Sequence, residues 1–158
     1  MLIYLIENQV TGKCYVGQTR RTLKQRFLAH KKVVGKSNAC KALSDAMMKH
    51  GVENFIIKPL RIYIAGPMTG LPELNFPAFH AETAKLRVRG FDVVNPAEVN
   101  PDHAMSWHDC MRRDIAELVK CDTIRLLPGW ENSSGARLEE HIAMRLGMTI
   151  VLPHQELA

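Results

Sequence analysis

The stretch Arg61-Ile62-Tyr63-Ile64-Ala65-Gly66-Pro67 decides how this 158-residue chain is divided and folded. An apolar run of strand length closes on Gly-Pro, the punctuation of a strand that ends in a tight turn. Downstream the pattern alternates. Residues 76–89 read as a helix, and Phe91-Asp92-Val93-Val94 as a strand closed by Asn95-Pro96. Trp107 to Val119 reads as a helix, and Thr123 to Leu127 as a strand ending at Pro128-Gly129. Ser134 to Leu146 is the next helix and Met148 to Leu152 the last strand. Such alternation predicts an α/β domain over 61–158, with a parallel sheet, helices on both faces and ligands at the carboxyl ends of the strands.

Upstream of Leu60 the pattern differs. Residues 2–6 read as a strand, Asn8 to Gly12 as turn chemistry, and Lys13 to Gly17 as a return strand. Thr22 to Lys32 reads as a helix with Leu23, Phe27 and Leu28 at helical spacing. Residues 38–49 read as a second helix with Ala42, Leu43, Ala46 and Met47 inward, stopped by Gly51, before a third strand over 54–57. This is a small α+β module over residues 1–60. Charge draws the same boundary. Residues 1–60 hold 11 Lys and Arg against 3 Asp and Glu, while residues 61–158 hold 10 against 13. The excess of +8 marks the first module as the candidate partner of a polyanion.

Composition excludes several classes. A hydrophobic fraction of 46% with 23% charged residues is that of a folded domain rather than a disordered chain. No apolar run reaches the length of a membrane helix, and Met1-Leu2-Ile3-Tyr4 carries neither a basic region nor a cleavage site. A cytoplasmic protein with no membrane partner is therefore expected. Cys14, Cys40, Cys110 and Cys121 form no C-x-x-C pair and no zinc spacing, so reduced and mostly buried thiols are expected. The eight methionines read as core filler.

The richest chemistry lies in Gly129-Trp130-Glu131-Asn132-Ser133-Ser134-Gly135-Ala136-Arg137-Leu138-Glu139. It is a strand end, a polar loop and a helix start. Ser133 and Ser134 can cap the helix, whose free N–H groups favour an anion, and Gly135 permits close backbone approach. Glu139 lies one turn on, leaning back toward the same place. Upstream, Asp114 and Asp122 are separated by eight residues, at a helix and at a strand start. Trp107 and Trp130 can wall a pocket and stack on a base, or simply pack. His103, His108 and Asp109 cluster ahead of Asp114, with capping and surface roles favoured over a metal. Arg112, Arg113 and Arg137 are candidates to reach a phosphate.

The order Asp114, Asp122, Ser133-x-Gly135-x-x-x-Glu139 resembles the nucleoside 2-deoxyribosyltransferase superfamily. It is most similar to a phage and bacterial branch with the signature G-W-E-x-S-x-G-A-x-x-E. The resemblance covers nearly all of 61–152 and implies a flavodoxin- or Rossmann-like sheet. It places Tyr63-Ile64-Ala65-Gly66-Pro67-Met68-Thr69-Gly70 where the superfamily shapes a nucleotide site. It implies Glu139 as nucleophile on the anomeric carbon, Asp114 as the acid that helps protonate the departing base, and Tyr63 orienting Glu139. Gly66, Met68, Gly70, Trp130, Ser133, Ser134 and Gly135 would bind substrate. Ser133, six residues before the nucleophile, stands where transferases of free nucleosides carry an acid and 5′-monophosphate hydrolases a serine. A serine at a helix N-terminus welcomes a phosphate that a carboxylate would repel. No cofactor is implied, and a homo-oligomer is.

In the first module, Ile3-Tyr4 with Tyr15-Val16-Gly17-Gln18-Thr19, and Arg26 with His30 one helical turn apart, resemble GIY-YIG nucleases. That resemblance covers roughly residues 2–60 and implies contact with nucleic acid through Tyr4, Tyr15, Arg26 and His30. The family's metal-binding carboxylate comes from a later helix that this chain lacks, and Glu53 does not replace it. Mg²⁺ would be needed only were this module an active nuclease. Both resemblances point to a phage or bacterial origin.

The expected function is N-glycosidic cleavage or deoxyribosyl transfer on a nucleotide, by a truncated GIY-YIG-like module (1–60) joined to a deoxyribosyltransferase-like domain (61–158). Two alternatives stand beside it: a non-catalytic nucleotide or nucleic-acid binder that blocks a host factor, and a metal-dependent DNA nuclease.

Overall fold

The computed structural model describes residues 1–37, 39–102 and 104–157. The chain forms two compact units, Met1–Leu60 with Arg89–Phe91, and Arg61–Val88 with Asp92–Ala158.

The first unit is built on three antiparallel strands, β1 (Leu2–Asn8), β2 (Cys14–Thr19) and β3 (Phe55–Pro59), with β1 in the middle. Two helices complete it, α1 (Leu23–Lys32) and α2 (Lys41–His50). Thr22 and Gln25 close a capping box at the start of α1, and α2 stops at Gly51, which takes a φ of 81°. Alternate residues of the sheet, Tyr4, Ile6 and Phe55, meet Leu43 and Met47 of α2 in the core. Three sequence expectations shift here. Leu28 is 49% exposed and Ala42 is also exposed, because Leu23 and Phe27 of α1, and Leu43, Met47 and Ala46 of α2, fill the inward stripes. Helix α2 begins at Lys41 rather than 38, and residue 38 lies outside the described residues. Cys14 and Cys40 are exposed, since strand end and helix cap both face outward there.

The second unit holds a parallel sheet of β4 (Arg61–Ala65), β5 (Asp92–Val94), β6 (Thr123–Leu126) and β7 (Thr149–Val151), in the order β5-β4-β6-β7. Its helices are α3 (Phe76–Arg89), α4 (Pro96–Val99), α5 (Trp107–Leu118) and α6 (Ser134–Arg145). This is the α/β sheet with helices on both faces that the alternation predicted. Tyr63, Ala65, Ile124 and Leu126 share one face and pack on Leu118 of α5 and on Ala136 and Ala143 of α6. Arg125 points the other way, to Glu82 of α3. The sheet order reverses at β4, so the crevice at its carboxyl end is the favoured ligand position.

Arg125 shows how completely that second face is satisfied. Its Nε donates to Glu82 Oε1 (2.9 Å), Nη1 to the carbonyls of Leu152 (2.8 Å) and Gln155 (2.6 Å), and Nη2 to that of Pro153 (3.3 Å). A buried guanidinium is tolerated only with such partners. Arg125→Ala leaves the half-buried Glu82 without its cation and frees the segment after β7. It is expected to lower the unfolding free energy of this unit by about 3–5 kcal/mol, read by urea denaturation; a change below about 1 kcal/mol would contradict the role given to it.

Candidate active site

At the carboxyl ends of the parallel strands lies a cavity of about 190 Å³. Its walls come from four places. Gly66, Met68, Thr69 and Leu74 follow β4; Pro96 opens α4; Trp107, Cys110, Met111 and Asp114 come from α5; Ser133, Gly135, Ala136 and Glu139 come from the start of α6. Phe79 and Met105 complete it.

Local sequence explains each wall. Gly66 is needed because a Cβ there would lie 2.8 Å from that of Leu127. Glu73, Leu74 and Asn75 all adopt left-handed backbone (φ 50°, 51° and 59°), a conformation costly for non-glycine residues. The turn is held by Asn75 Nδ2 donating to the carbonyl of Pro67 (2.9 Å), and it sets Leu74 against the cavity. Ser106 caps α5 and Ser133 caps α6, whose Ala136 N–H donates to Ser133 Oγ (3.2 Å). The buried face of α6 carries Gly135, Ala136, Glu139 and Ala143. The small residues let the helix lie close to the sheet, and the one long side chain among them is a carboxylate.

Glu139 is 5% exposed, and Tyr63 is fully buried. The Tyr63 hydroxyl donates to Glu139 Oε1 at 2.5 Å. Asp114 is 6% exposed, and its Oδ1 accepts from Asn100 Nδ2 at 2.7 Å. Burial raises the Glu139 carboxyl to about 8; the Tyr63 bond opposes this and the charge of Asp114 adds to it. Burial raises Asp114 to about 7 against the pull of the Asn100 bond. Burial first, and then Glu139 and Asp114, push the Tyr63 phenol well above its usual range, so it stays a donor. Two carboxyls on one cavity thus titrate near neutrality, each with its own hydrogen-bond donor.

Of the sequence candidates, Tyr63 meets Glu139, while Glu139, Asp114, Gly66, Met68, Ser133 and Gly135 share the cavity. Three do not. Ser134 and Trp130 line a separate open groove with Arg137 and His141: Ser134 turns away from Glu139 in the first turn of α6, and Trp130 belongs to the short turn before that helix. Gly70, at φ 82°, makes a turn with open space where a Cβ would stand. Asp122 sits at the opposite end of the sheet, where its Oδ2 accepts from the Arg61 N–H (3.1 Å). Asp109 pairs with Arg112 (2.8 Å) and Arg113 meets Met105 Sδ, so neither arginine lines the cavity. His108 does not line it either, and His103 lies outside the described residues. Sequence reasoning missed Asn100. It also took Met105 and Met111 for filler, although they line the cavity. The spacing of Trp107, Cys110, Met111 and Asp114 on one helical face was the available signal.

In the first unit, Tyr4, Tyr15, Arg26 and His30 come together. Arg26 Nε donates to the Tyr4 hydroxyl (2.9 Å), which bonds His30 Nε2 (2.9 Å). The Tyr15 and His30 rings meet edge to face at 5.7 Å. Tyr4 faces Gly17 across the hairpin, and a Cβ at Gly17 would fall on the Tyr4 phenol, so the glycine makes room for the ring. Burial and then Arg26 lower the His30 pKa, which favours a neutral ring in the bond with Tyr4. Burial chiefly raises Tyr15, with Tyr4 and Cys40 adding and Arg26 opposing. No carboxylate is among these influences. Of the unit's acids, Glu7 pairs with Lys58 (3.2 Å) and Asp45 with Lys41 (3.2 Å). Among the described residues no cluster of three His, Cys, Asp or Glu could hold a metal. The donor set therefore suits an anion and does not fit Mg²⁺. Among the described residues no helix is long and apolar enough to cross a membrane.

Residues 60–152 match the model of the family described as a domain of unknown function, DUF4406. Residues 1–63 match that of the GIY-YIG catalytic domain. Two proteins of Invertebrate iridescent virus 6 are similar to this chain over 59 residues, 37% of it. One, 146R, is named for an MSV199 domain; it is 42% identical, with 24% of its length covered. The other is the uncharacterised protein 019R, 37% identical with 21% covered. The chain thus spans about a quarter or less of the length of these relatives.

Carboxyls raised by burial hold protons that the unfolded chain releases. Below the unfolded values of about 4 both states are protonated and no penalty arises. As pH rises through the folded values of about 7 and 8, stability is lost. Glu139→Gln is expected to exceed the wild type in stability at pH 8.5 by on the order of 3 kcal/mol, with the advantage fading toward pH 4.5. Thermal unfolding at both pH values checks this; a pH-independent difference would contradict it.

Proposed function

The chain belongs to the DUF4406 family, and on that premise we propose that residues 61–158 break the N-glycosidic bond of a deoxynucleoside 5′-monophosphate, passing the sugar to water or to a second base. The observation that carries the reading is the pair of buried carboxyls on one cavity, Glu139 bonded by Tyr63 and Asp114 bonded by Asn100. The resemblance to nucleoside 2-deoxyribosyltransferases supports it. Glu139 attacks C1′ as the bond to the base breaks through an oxocarbenium-like state. The electron pair of that bond goes to the base nitrogen, which takes the proton of Asp114. Water or a second base then bonds C1′ as the C1′–Glu139 bond breaks, and its proton returns to the Asp114 carboxylate. Tyr63 steadies the Glu139 carboxylate before attack and after release. The apolar wall of Met105, Trp107 and Met111 suits the flat base. Ser133 and the unpaired N–H groups of the first turn of α6 suit the 5′-phosphate.

The productive state has Glu139 ionised and Asp114 protonated. With Asp114 at about 7 and Glu139 at about 8 it is the less populated of the two one-proton forms, and its population falls away on both the acid and the alkaline side. Release of free base from a panel of deoxynucleotides, followed by chromatography, is expected to peak between about pH 7 and 8. Glu139→Ala is expected to reduce it by at least ~1,000-fold. Equal base release by wild type and Glu139→Ala, or none from any substrate, would sink the proposal.

A second reading concerns the first unit, where the GIY-YIG match and the Tyr4–Arg26–His30 network favour contact with nucleic acid. We propose that this unit binds DNA through phosphate contacts without cleaving it. Affinity for a duplex is expected to fall steeply with salt, and Arg26→Ala is expected to weaken it several-fold and lower the salt slope by about one. Salt-independent binding would refute the contact, and Mg²⁺-dependent cleavage would restore the nuclease reading.

A further inference from the structure

We propose that Asn100 is a positioning residue for Asp114: its amide fixes the carboxyl that protonates the departing base and stabilises the negative charge left there once the proton has gone. The inference rests on the N-glycosidic reading above and adds a residue outside the cavity wall to it.

Asn100 is 7% exposed and stands behind Asp114. Its backbone is fixed on both sides. The N–H donates to the Pro96 carbonyl at 2.9 Å, closing α4, and Pro101 follows. The side chain uses its two ends unequally. Nδ2 donates to Asp114 Oδ1 at 2.7 Å, whereas Oδ1 is sealed from solvent with no hydrogen-bond partner among the described residues. A buried acceptor left without a donor costs stability, and an apolar side chain of similar volume would avoid that cost. What the amide supplies in return is the donor on Asp114.

That donor has two consequences. With Oδ1 of Asp114 occupied by an N–H, the acid proton resides on Oδ2, so one oxygen presents it to the base. The bond also strengthens during the reaction. Before proton transfer it joins two neutral groups. As the C1′–N bond breaks, its electron pair goes to the base nitrogen, the Oδ2 proton follows, and Glu139 bonds C1′. Asp114 is then a carboxylate, and the same N–H···O bond becomes charge-assisted and about twice as strong. An interaction stronger in the transition state than in the ground state raises kcat rather than lowering KM.

The test compares deoxyadenosine and deoxyguanosine 5′-monophosphates with their N7-methylated counterparts, whose bases leave without being protonated. Asn100→Leu is expected to lower kcat on the unmethylated substrates about 10- to 100-fold, with KM unchanged. Its alkaline limb is expected to move to higher pH, and the methylated substrates to be nearly unaffected. Equal losses on both substrate classes, or no loss on either, would overturn the proposal. A carboxyl ¹³C NMR titration of the free protein supplies a readout that needs no turnover. The Asp114 midpoint is expected to rise in Asn100→Leu, and an unchanged midpoint would overturn the proposal. A wild type that releases no base from any substrate sinks the N-glycosidic reading, and the titration still decides whether Asn100 governs the Asp114 proton. If the leucine variant does not fold, Asn100→Ala removes the same donor and is read in the same way.

Discussion

A carboxylate on the buried face of a helix is the constraint around which the second unit is arranged. Glu139 occupies a position that helical spacing gives to the core, between Ala136 and Ala143. Left without a partner, such a charge would cost several kcal/mol. The Tyr63 hydroxyl from the central strand meets it at 2.5 Å, which requires α6 to lie close to the sheet. Small residues on the inner face of α6 permit that approach, and Gly135 keeps its first turn clear of Met111. The cavity is the space left where this helix start, α5 and the loop after β4 converge.

The two units share a device. Each places a buried tyrosine from its central strand against functional groups on a helix. In the first unit Tyr4 accepts from Arg26 and bonds His30. In the second, Tyr63 donates to Glu139. The chemistry nevertheless differs in sign. The first cluster is cationic and, among its described neighbours, without a carboxylate, which suits it to hold an anion. The second gathers two acids in an apolar cavity, which suits it to move a proton and attack an electron-poor carbon. Retention of a fold does not guarantee retention of its chemistry, and the two clusters have to be judged residue by residue.

Much of this was legible in the sequence. Short strand-length runs at 61–65 and 123–127, closed by Gly-Pro and Pro-Gly, and helical stripes between them gave the parallel sheet, because its strands are buried on both faces. Tyr63, Glu139, Asp114 and Ser133 were identifiable as candidates because the motif they form resembles that of the nucleoside 2-deoxyribosyltransferases. Other features depend on distances that no local pattern encodes. Trp130 and Ser134 neighbour the cavity residues in sequence, yet the turn before α6 and the first turn of that helix place them on another surface. Asp122 follows α5 directly but caps the far end of β4. Asn100 sits in an unpatterned Asn-Pro step, and its partner lies 14 residues on. Leu28 and Ala42 show the limit of apolar spacing in a short helix, where two or three inward positions suffice to cover a small sheet.

The central claim is that Glu139 bonds the anomeric carbon. Its most direct test is intact and peptide mass spectrometry of the protein incubated with a 2′-fluorinated nucleoside 5′-monophosphate, a substituent that slows breakdown of a glycosyl–enzyme bond. The account predicts a sugar-phosphate adduct on the peptide that contains Glu139, absent in Glu139→Gln. Base released without any adduct, or an adduct carried by another residue, would contradict it.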